Sequence, residues 1–390
     1  MKKHPEKLIH RRSFLKLGSL GAAMAGLAPF AGAQTAESAG SAADSGASAG
    51  PVFRALGRTG LKVSIVSFGA MQTRDVPVMH AVFDAGVNYL DTARSYMGGE
   101  NERIVGEALK GRRDKVYLAT KTRIGDKDAV MRSAETSLSA MNVDYVDVLQ
   151  LHNLTSREAV MNEGAREGLK ELRKQGKVRH LGVTTHSKQV DVINAVLEDP
   201  EKLFDVVLVA YNFKAPPELK DAIARAAKAG VGVIAMKTQA GGYQTDALGP
   251  ISPHQAALKW VLQDPHVAAA IPSMTNLDQV KENVEVMGMR FARVDQQILD
   301  AYARATRSTH CQLCQVCEPS CPRGVAISDM NRALMYAEGY GDFDLARSAF
   351  CELPRNASSF ACGDCVACVA RCAHGLDIGA KMARARTLFA

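Results

Sequence analysis

The sequence predicts an α/β protein: a (β/α)8 (TIM) barrel followed by a small, mostly helical domain. Three observations predict it. Eight short, nearly continuous apolar runs lie between residues 63 and 271, as expected of parallel strands buried on both faces. Amphipathic stretches separate the runs, giving the strand–helix alternation of a parallel barrel. A cysteine-rich tail follows, and its spacing repeats after 51 residues.

The elements follow in chain order. Residues 1–33 hold six Lys/Arg (Lys2, Lys3, Lys7, Arg11, Arg12 and Lys16) against Glu6, so most of the formal charge of +7 sits there. Arg11-Arg12 is followed by a weakly apolar stretch, Leu17 to Ala33, broken by Pro29 and ending in Ala31-Gly32-Ala33. This segment resembles a twin-arginine export signal with its small-x-small cleavage site. The alternatives are a plain membrane anchor, for which the stretch is short, or a disordered start. The resemblance implies Tat export machinery as a partner, a periplasmic or otherwise exported location, and no stable membrane span. Residues 34–52 are rich in Ala, Ser and Gly and read as a flexible linker.

A hairpin over Arg54–Gly60 is expected to close the barrel floor. Strands are expected at Val63–Phe68, Tyr89–Thr92, Val116–Lys121, Val146–Leu151, Leu181–Thr184, Val206–Tyr211, Val231–Met236 and Val267–Ile271. Glu158–Lys177 reads as one helix with Val160, Gly164, Leu169 and Leu172 inward, and Ala222–Ala229 and Pro253–Gln263 read as others. The barrel thus spans 53–298 and the tail 299–390. A doubly wound open sheet is the alternative fold, but no GxGxxG follows the first strand. The chain is 47% hydrophobic and 23% charged, with one Trp. That composition excludes disordered, collagen-like and polytopic membrane classes. With no basic stripe beyond the leader, nucleic acid is excluded as a partner.

Chemistry in such barrels gathers at the C-terminal ends of the strands. Those positions carry Asp91, Lys121 and His152, with Tyr96 in the loop after Asp91. A phenol is a weak acid. A neighbouring ammonium lowers its pKa, a carboxylate holds the ammonium, and an imidazole guides a carbonyl oxygen. Pocket walls are expected from Met71, Gln72, Tyr96, Met97, Asn153 and Tyr211.

Gly86-Val87-Asn88-Tyr89-Leu90-Asp91-Thr92-Ala93-Arg94-Ser95-Tyr96 resembles the aldo/keto reductase signature. The blocks Val116–Lys121, Asp144–His152 and Gly176–Val183 resemble the later blocks of that family in order. The resemblance implies reduction of a small carbonyl substrate, or oxidation of an alcohol, with NADP(H) or NAD(H). It implies Tyr96 as acid, Lys121 as its tuner, Asp91 as orienter and His152 as carbonyl guide. Ile271–Asn283 resembles the family's nucleotide-phosphate segment, which assigns Ser273, Gln279, Lys281 and Asn283 to the cofactor. Ser273 and Gln279 replace the usual Lys and Arg there. Met236-Lys237 stands where many members have a stacking Tyr, and Thr184-Thr185-His186 replaces the usual Ser-Asn beside the carboxamide.

Cys311, Cys314, Cys317 and Cys321 give C-x2-C-x2-C-x3-C, and Cys362, Cys365, Cys368 and Cys372 repeat it. Three such thiolates suit three corners of a cubane, with the fourth reaching a neighbouring cluster. Zinc and a disulfide array are the alternatives. The motif resembles a two-cluster [4Fe–4S] ferredoxin-type module and implies two such clusters. Helical spacing of Ile327, Met330, Leu334 and Ala337, and of Ile378, Met382, Ala385 and Phe389, favours a helical dicluster form. Cys351 lies outside both motifs and reads as a buried or spare thiol. The expected function is an exported iron–sulfur oxidoreductase working with a redox partner protein. The alternative is an electron-transfer protein whose barrel no longer reduces carbonyls.

Overall fold

A computed structural model describes residues 50–240, 252–363 and 365–389. The expected export leader 1–33 and almost all of the expected linker lie outside the described residues, as do residues 241–251.

The chain enters through an antiparallel hairpin, β1 (Phe53–Ala55) and β2 (Lys62–Ser64), in register from Phe53↔Ser64 to Ala55↔Lys62. Eight parallel strands follow: β3 (Phe68–Gly69), β4 (Tyr89–Asp91), β5 (Tyr117–Thr122), β6 (Val146–Leu151), β7 (Val178–Thr185), β8 (Val206–Ala210), β9 (Gly232–Met236) and β10 (Ala269–Ala270). Each pairs with its sequence neighbours. A parallel bridge from Val66 to Ala270 closes the ring, with Ser67 N donating to Ala270 O at 2.8 Å and Gly69 N to Pro272 O at 3.1 Å. The expected strand Val63–Phe68 is therefore two. Its first part pairs with β1 below the barrel, and only the part from Val66 onward joins the ring.

The hairpin sits at the floor as expected. Leu56 is buried in the inner barrel cluster with Tyr89, Ala119, Val148, Leu208 and Ile234. Gly57 has φ +52°, and a Cβ there would meet Gly232 N at 2.3 Å. The turn can therefore press on the start of β9 only without a side chain.

Around the barrel run helices α1 (Val76–Asp84), α2 (Glu100–Ala108), α3 (Lys127–Met141), α4 (Arg157–Val160), α5 (Glu163–Lys174), α6 (Gln189–Leu197), α7 (Pro217–Lys228), α8 (Pro253–Leu262) and α9 (Leu277–Glu285). The single helix expected over 158–177 is broken. Asn162 leaves helical geometry (ψ 112°) and its side chain accepts from Ala165 N at 2.9 Å, capping α5. The side-chain amide gives the backbone an alternative to a continuous helix.

The 298/299 boundary falls inside one helix, α10 (Arg293–Thr306), whose Leu299 packs against Ala256 and Ala257 of α8. The tail adds α11 (Ile327–Glu338), α12 (Phe343–Cys351) and α13 (Ile378–Phe389). Ile327, Met330, Leu334 and Ala337 are buried with Ile378, Met382 and Ala385 in one cluster, so helical spacing located both helices. Met71 and Tyr96 of the barrel pack against that same cluster. Barrel and tail belong to one compact unit. Among the described residues no helix is long and apolar enough to cross a membrane.

Candidate active site

Parallel register places the ends of β4, β5 and β6 side by side: Asp91 lies opposite Ala119, and Lys121 opposite Gln150. The Lys121 ammonium donates to Asp91 Oδ1, and to the Thr92 carbonyl at 2.7 Å. Asp91 Oδ2 accepts from Gln150 Nε2 at 2.8 Å. All three side chains are buried. Burial pushes the Asp91 carboxyl up and the Lys121 ammonium down, and their mutual pairing works against both shifts.

Tyr96 opens the short turn Tyr96–Gly99 beyond β4. Its ring lies with its centroid 4.8 Å from Lys121 Nζ and meets the His152 ring edge-on at 5.9 Å. The four residues expected together are thus brought together. Their electrostatics differ from expectation in one respect. Burial, followed by the Asp91 charge, pushes the Tyr96 phenol well above its ordinary value. Lys121 is engaged by Asp91 and Thr92, and it faces the Tyr96 ring. Tyr96 therefore keeps its proton.

His152 is held well below its ordinary value by burial and then by Lys121, and His186 by burial and then by Arg332. His186 Nδ1 pairs with Asn153 Oδ1 at 2.9 Å. Both imidazoles are neutral in the fold but titrate near pH 6.5 when unfolded. Below that pH the unfolded chain binds more protons, so stability falls with falling pH. The melting temperature is expected to drop between pH 7.5 and 5.5, and to drop less in His186→Gln. Scanning calorimetry at both pH values checks this.

Over the barrel mouth lies α11. Ser187 Oγ donates to Asp329 Oδ2 at 3.2 Å, and Asn153 Nδ2 to Glu352 Oε2 at 3.3 Å. Arg332 is buried, 3.2 Å from Asp329 and 3.7 Å from Glu352. Tyr336 is buried and stacks on Tyr340 with centroids 5.5 Å apart. Lys237 Nζ lies 4.5 Å from the Tyr336 centroid and 5.4 Å from that of Tyr340. Burial would raise the Tyr336 phenol, yet Lys237 and Arg332 outweigh it and hold it below the usual value. The sequence reading missed Gln150, Arg332, Tyr336 and Tyr340. Arg332 and Tyr336 stand one helical turn apart in a stretch already read as helical, and that spacing was the available signal.

A cavity of about 700 Å³ opens beside Asp91 and Tyr96. Met236, Lys237, Ser273, Gln279 and Asn283 line it, with Met71, Gln72 and His186, and the tail residues Gly339–Asp344 form the facing wall. Gln279 folds back to accept from Thr275 N at 2.8 Å, and Asn283 accepts from Gln239 Nε2 at 2.8 Å. Two expected cofactor residues stand elsewhere. Thr184 is buried in β7, its hydroxyl accepting from Asn153 N at 2.8 Å. Lys281 is 78% exposed and lies 4.0 Å from Glu285 on its own helix. Tyr211, expected as a pocket wall, is instead a core residue. It donates to Asp264 at 3.0 Å and packs on Trp260.

All nine cysteines are free thiols. Eight of them fall into two neighbourhoods that exchange their last members. Cys311 and Cys317 have Cys314 and Cys372 as neighbours, while Cys362 has Cys365, Cys368 and Cys321. Among the described residues none of these groups is gathered tightly enough for a single metal ion. Cys351, expected to be buried or spare, is exposed at the end of α12.

Residues 68–250 and 246–304 match the profile of the aldo/keto reductase family. Over 296 residues the chain is 29% identical to L-galactose dehydrogenase of Arabidopsis thaliana, covering 63% of this chain and 92% of that protein. It is 34% identical over 155 residues to the aldo-keto reductase YhdN of Bacillus subtilis, 35% of this chain and 46% of the relative. The holo form of an aldo-keto reductase from Bacillus halodurans superposes with TM-score 0.54 at 25% identity, covering 64% of this chain and 96% of that one. An aldo-keto reductase from Klebsiella pneumoniae in complex with NADPH shares the fold, with TM-score 0.54 at 24% identity over 62% and 92% of the two chains.

Proposed function

Because the chain belongs to the aldo/keto reductase family and is an oxidoreductase, we propose that it interconverts a small carbonyl compound and its alcohol with NADP(H) or NAD(H). We propose further that its tail carries two [4Fe–4S] clusters and serves a redox partner protein. The observation that carries the reading is the buried clamp in which Asp91 and the Thr92 carbonyl hold Lys121 beneath the Tyr96 ring.

Tyr96 keeps its proton at neutral pH and gives it to the carbonyl oxygen in reduction. His152, neutral, offers a ring N–H to that oxygen and orients it. Lys121 stabilises the charge that the phenol acquires, and Asp91 and Gln150 stop the ammonium from swinging away. The α11 helix keeps water from one side of the mouth. Met236, Ser273, Gln279 and Asn283 would hold the nucleotide, which supplies the hydride when bound. The fit is favourable: the cavity is of ligand size, and Ser273, Thr275 and Gln279, around the N-terminus of α9 where a phosphate is electrostatically favoured, line it.

Two sets of four unpaired thiols are the donor chemistry that a four-iron cluster requires. Cys311, Cys314, Cys317 and Cys372 would hold one, and Cys362, Cys365, Cys368 and Cys321 the other. The clusters supply one-electron transfer when bound. The twin-arginine leader adds export in the folded, cofactor-loaded state to this reading.

The test is a cofactor inventory of the anaerobically purified protein. About eight irons, matching acid-labile sulfide and a nicotinamide nucleotide released on denaturation are expected. Cys351→Ser should leave the iron content unchanged. Absence of iron in protein purified anaerobically would overturn the cluster assignment. Failure of either nucleotide to bind would overturn the hydride chemistry.

A further inference from the structure

Charges at the catalytic end of the cavity are matched, with one exception. Lys121 has Asp91, and Arg332 has Asp329 and Glu352. Lys237 lines the cavity, yet no carboxylate pairs with it among the described residues; its neighbours are the Tyr336 and Tyr340 rings and Arg332.

The ammonium is held in place from both sides. Lys237 stands at the end of β9 in the left-handed region (φ +56°), a conformation a lysine rarely adopts. Asn212 Nδ2 donates to its carbonyl at 3.1 Å. From the tail, Tyr336 and Tyr340 place their ring centroids 4.5 and 5.4 Å from the ammonium, supplying cation–π attraction, and their phenol oxygens accept hydrogen bonds from it. The charge is felt at Lys121, His152 and His186, so Lys237 belongs to the tetrad end of the cavity. The two tyrosines sustain that charge: burial lowers the ammonium, but the phenol oxygens of Tyr336 and Tyr340 more than restore it. A fixed, half-buried cation with no carboxylate partner among the described residues attracts an anion, and the anion closest to the reacting carbon is one carried by the substrate.

We propose that Lys237, aimed by Tyr336 and Tyr340 of the tail, binds a carboxylate of the substrate, so that the substrate is an oxo acid or hydroxy acid. The proposal deepens the reductase reading and rests on it for the reacting carbonyl. It also gives the tail a part in the active site, because the residues that aim Lys237 come from α11 and the loop after it.

The test compares phenylglyoxylate with its methyl ester, which keeps the carbonyl and removes the charge. The full-length protein is used. Binding is read by calorimetry, which needs no turnover, and kcat/KM is read alongside. The acid is expected to bind at least tenfold more tightly than the ester. In Lys237→Gln that preference is expected to shrink about tenfold, to near parity, and Lys237→Arg is expected to retain most of it. Tyr336→Phe should weaken the preference less than Lys237→Gln does.

Equal affinity for acid and ester, or a preference that survives in Lys237→Gln, overturns the proposal. So does a Lys237→Gln loss that falls on NADPH affinity and spares the acid, since the ammonium then serves the nucleotide. Lys237-dependent acid binding without turnover supports the carboxylate site and counts against the reductase reading. Turnover of the ester as readily as the acid does the reverse.

Discussion

Tyr96→Phe is expected to lower kcat for carbonyl reduction by about 10²- to 10⁴-fold, the usual contribution of a positioned general acid. The ring survives the substitution, so its contacts with His152 and Lys121 and its packing on the tail cluster survive with it. Only the proton is lost. Nucleotide affinity and iron content should therefore match the parent, which separates a chemical effect from an unfolding one. The direction of reaction adds a second signature. Burial and the Asp91 charge keep the phenol protonated well past its ordinary range. Reduction, which uses the proton, should be insensitive to pH through neutrality. Alcohol oxidation needs the phenol to give the proton up first, so its rate should climb as pH rises. Steady-state rates in both directions between pH 6 and 9 check the pair. An unchanged kcat in Tyr96→Phe would remove Tyr96 from the chemistry.

Lys121→Met is expected to destabilise the fold by about 3–5 kcal/mol, because it leaves Asp91 buried without its counter-charge. Asp91 would retain only Gln150 as a side-chain partner. Activity should fall as well, since nothing would then offset charge on the phenol. The double variant Lys121→Met/Asp91→Asn removes both charges and should recover much of the stability while staying inactive. Denaturant unfolding of the three proteins, with kcat measured beside it, distinguishes these outcomes. A double variant no more stable than the single one would show that the ion pair is not what holds this end of the barrel together.

Much of this was legible along the chain. The apolar runs foretold the barrel because a parallel strand buried on both faces tolerates few polar residues, and because the register of such strands brings their C-terminal ends together. Asp91, Lys121 and His152 could be found as the residues at those ends. Helical spacing likewise located α11 and α13. The errors share a cause. Val63–Phe68 looked like one strand because its apolar pattern does not record which partner each half takes. Glu158–Lys177 looked like one helix because the inward face continues across Asn162, whose side chain ends one helix and caps the next. Tyr211 looked like a pocket wall because its position suited one, but Asp264 and Trp260 claim it for the core.

By itself the sequence determined the barrel, the three residues at its strand ends with Tyr96 in the loop beyond, and the two cysteine motifs. Each is set by local pattern: burial decides the apolar runs, β-strand register decides the strand ends, and ligand spacing decides the motifs. Only the tertiary structure decided where the tail goes and what it does to the site. Arg332, Tyr336 and Tyr340 lie some 95 to 105 residues beyond Lys237 in the chain, and nothing in their own segment says that they meet it. The docking follows from the shape and polarity of two surfaces, through Ser187 with Asp329 and Asn153 with Glu352. The same docking inverted the expected tuning. The sequence places an ammonium beside Tyr96 but cannot count the water that the tail removes, and burial, followed by the Asp91 charge, sets the direction of the shift.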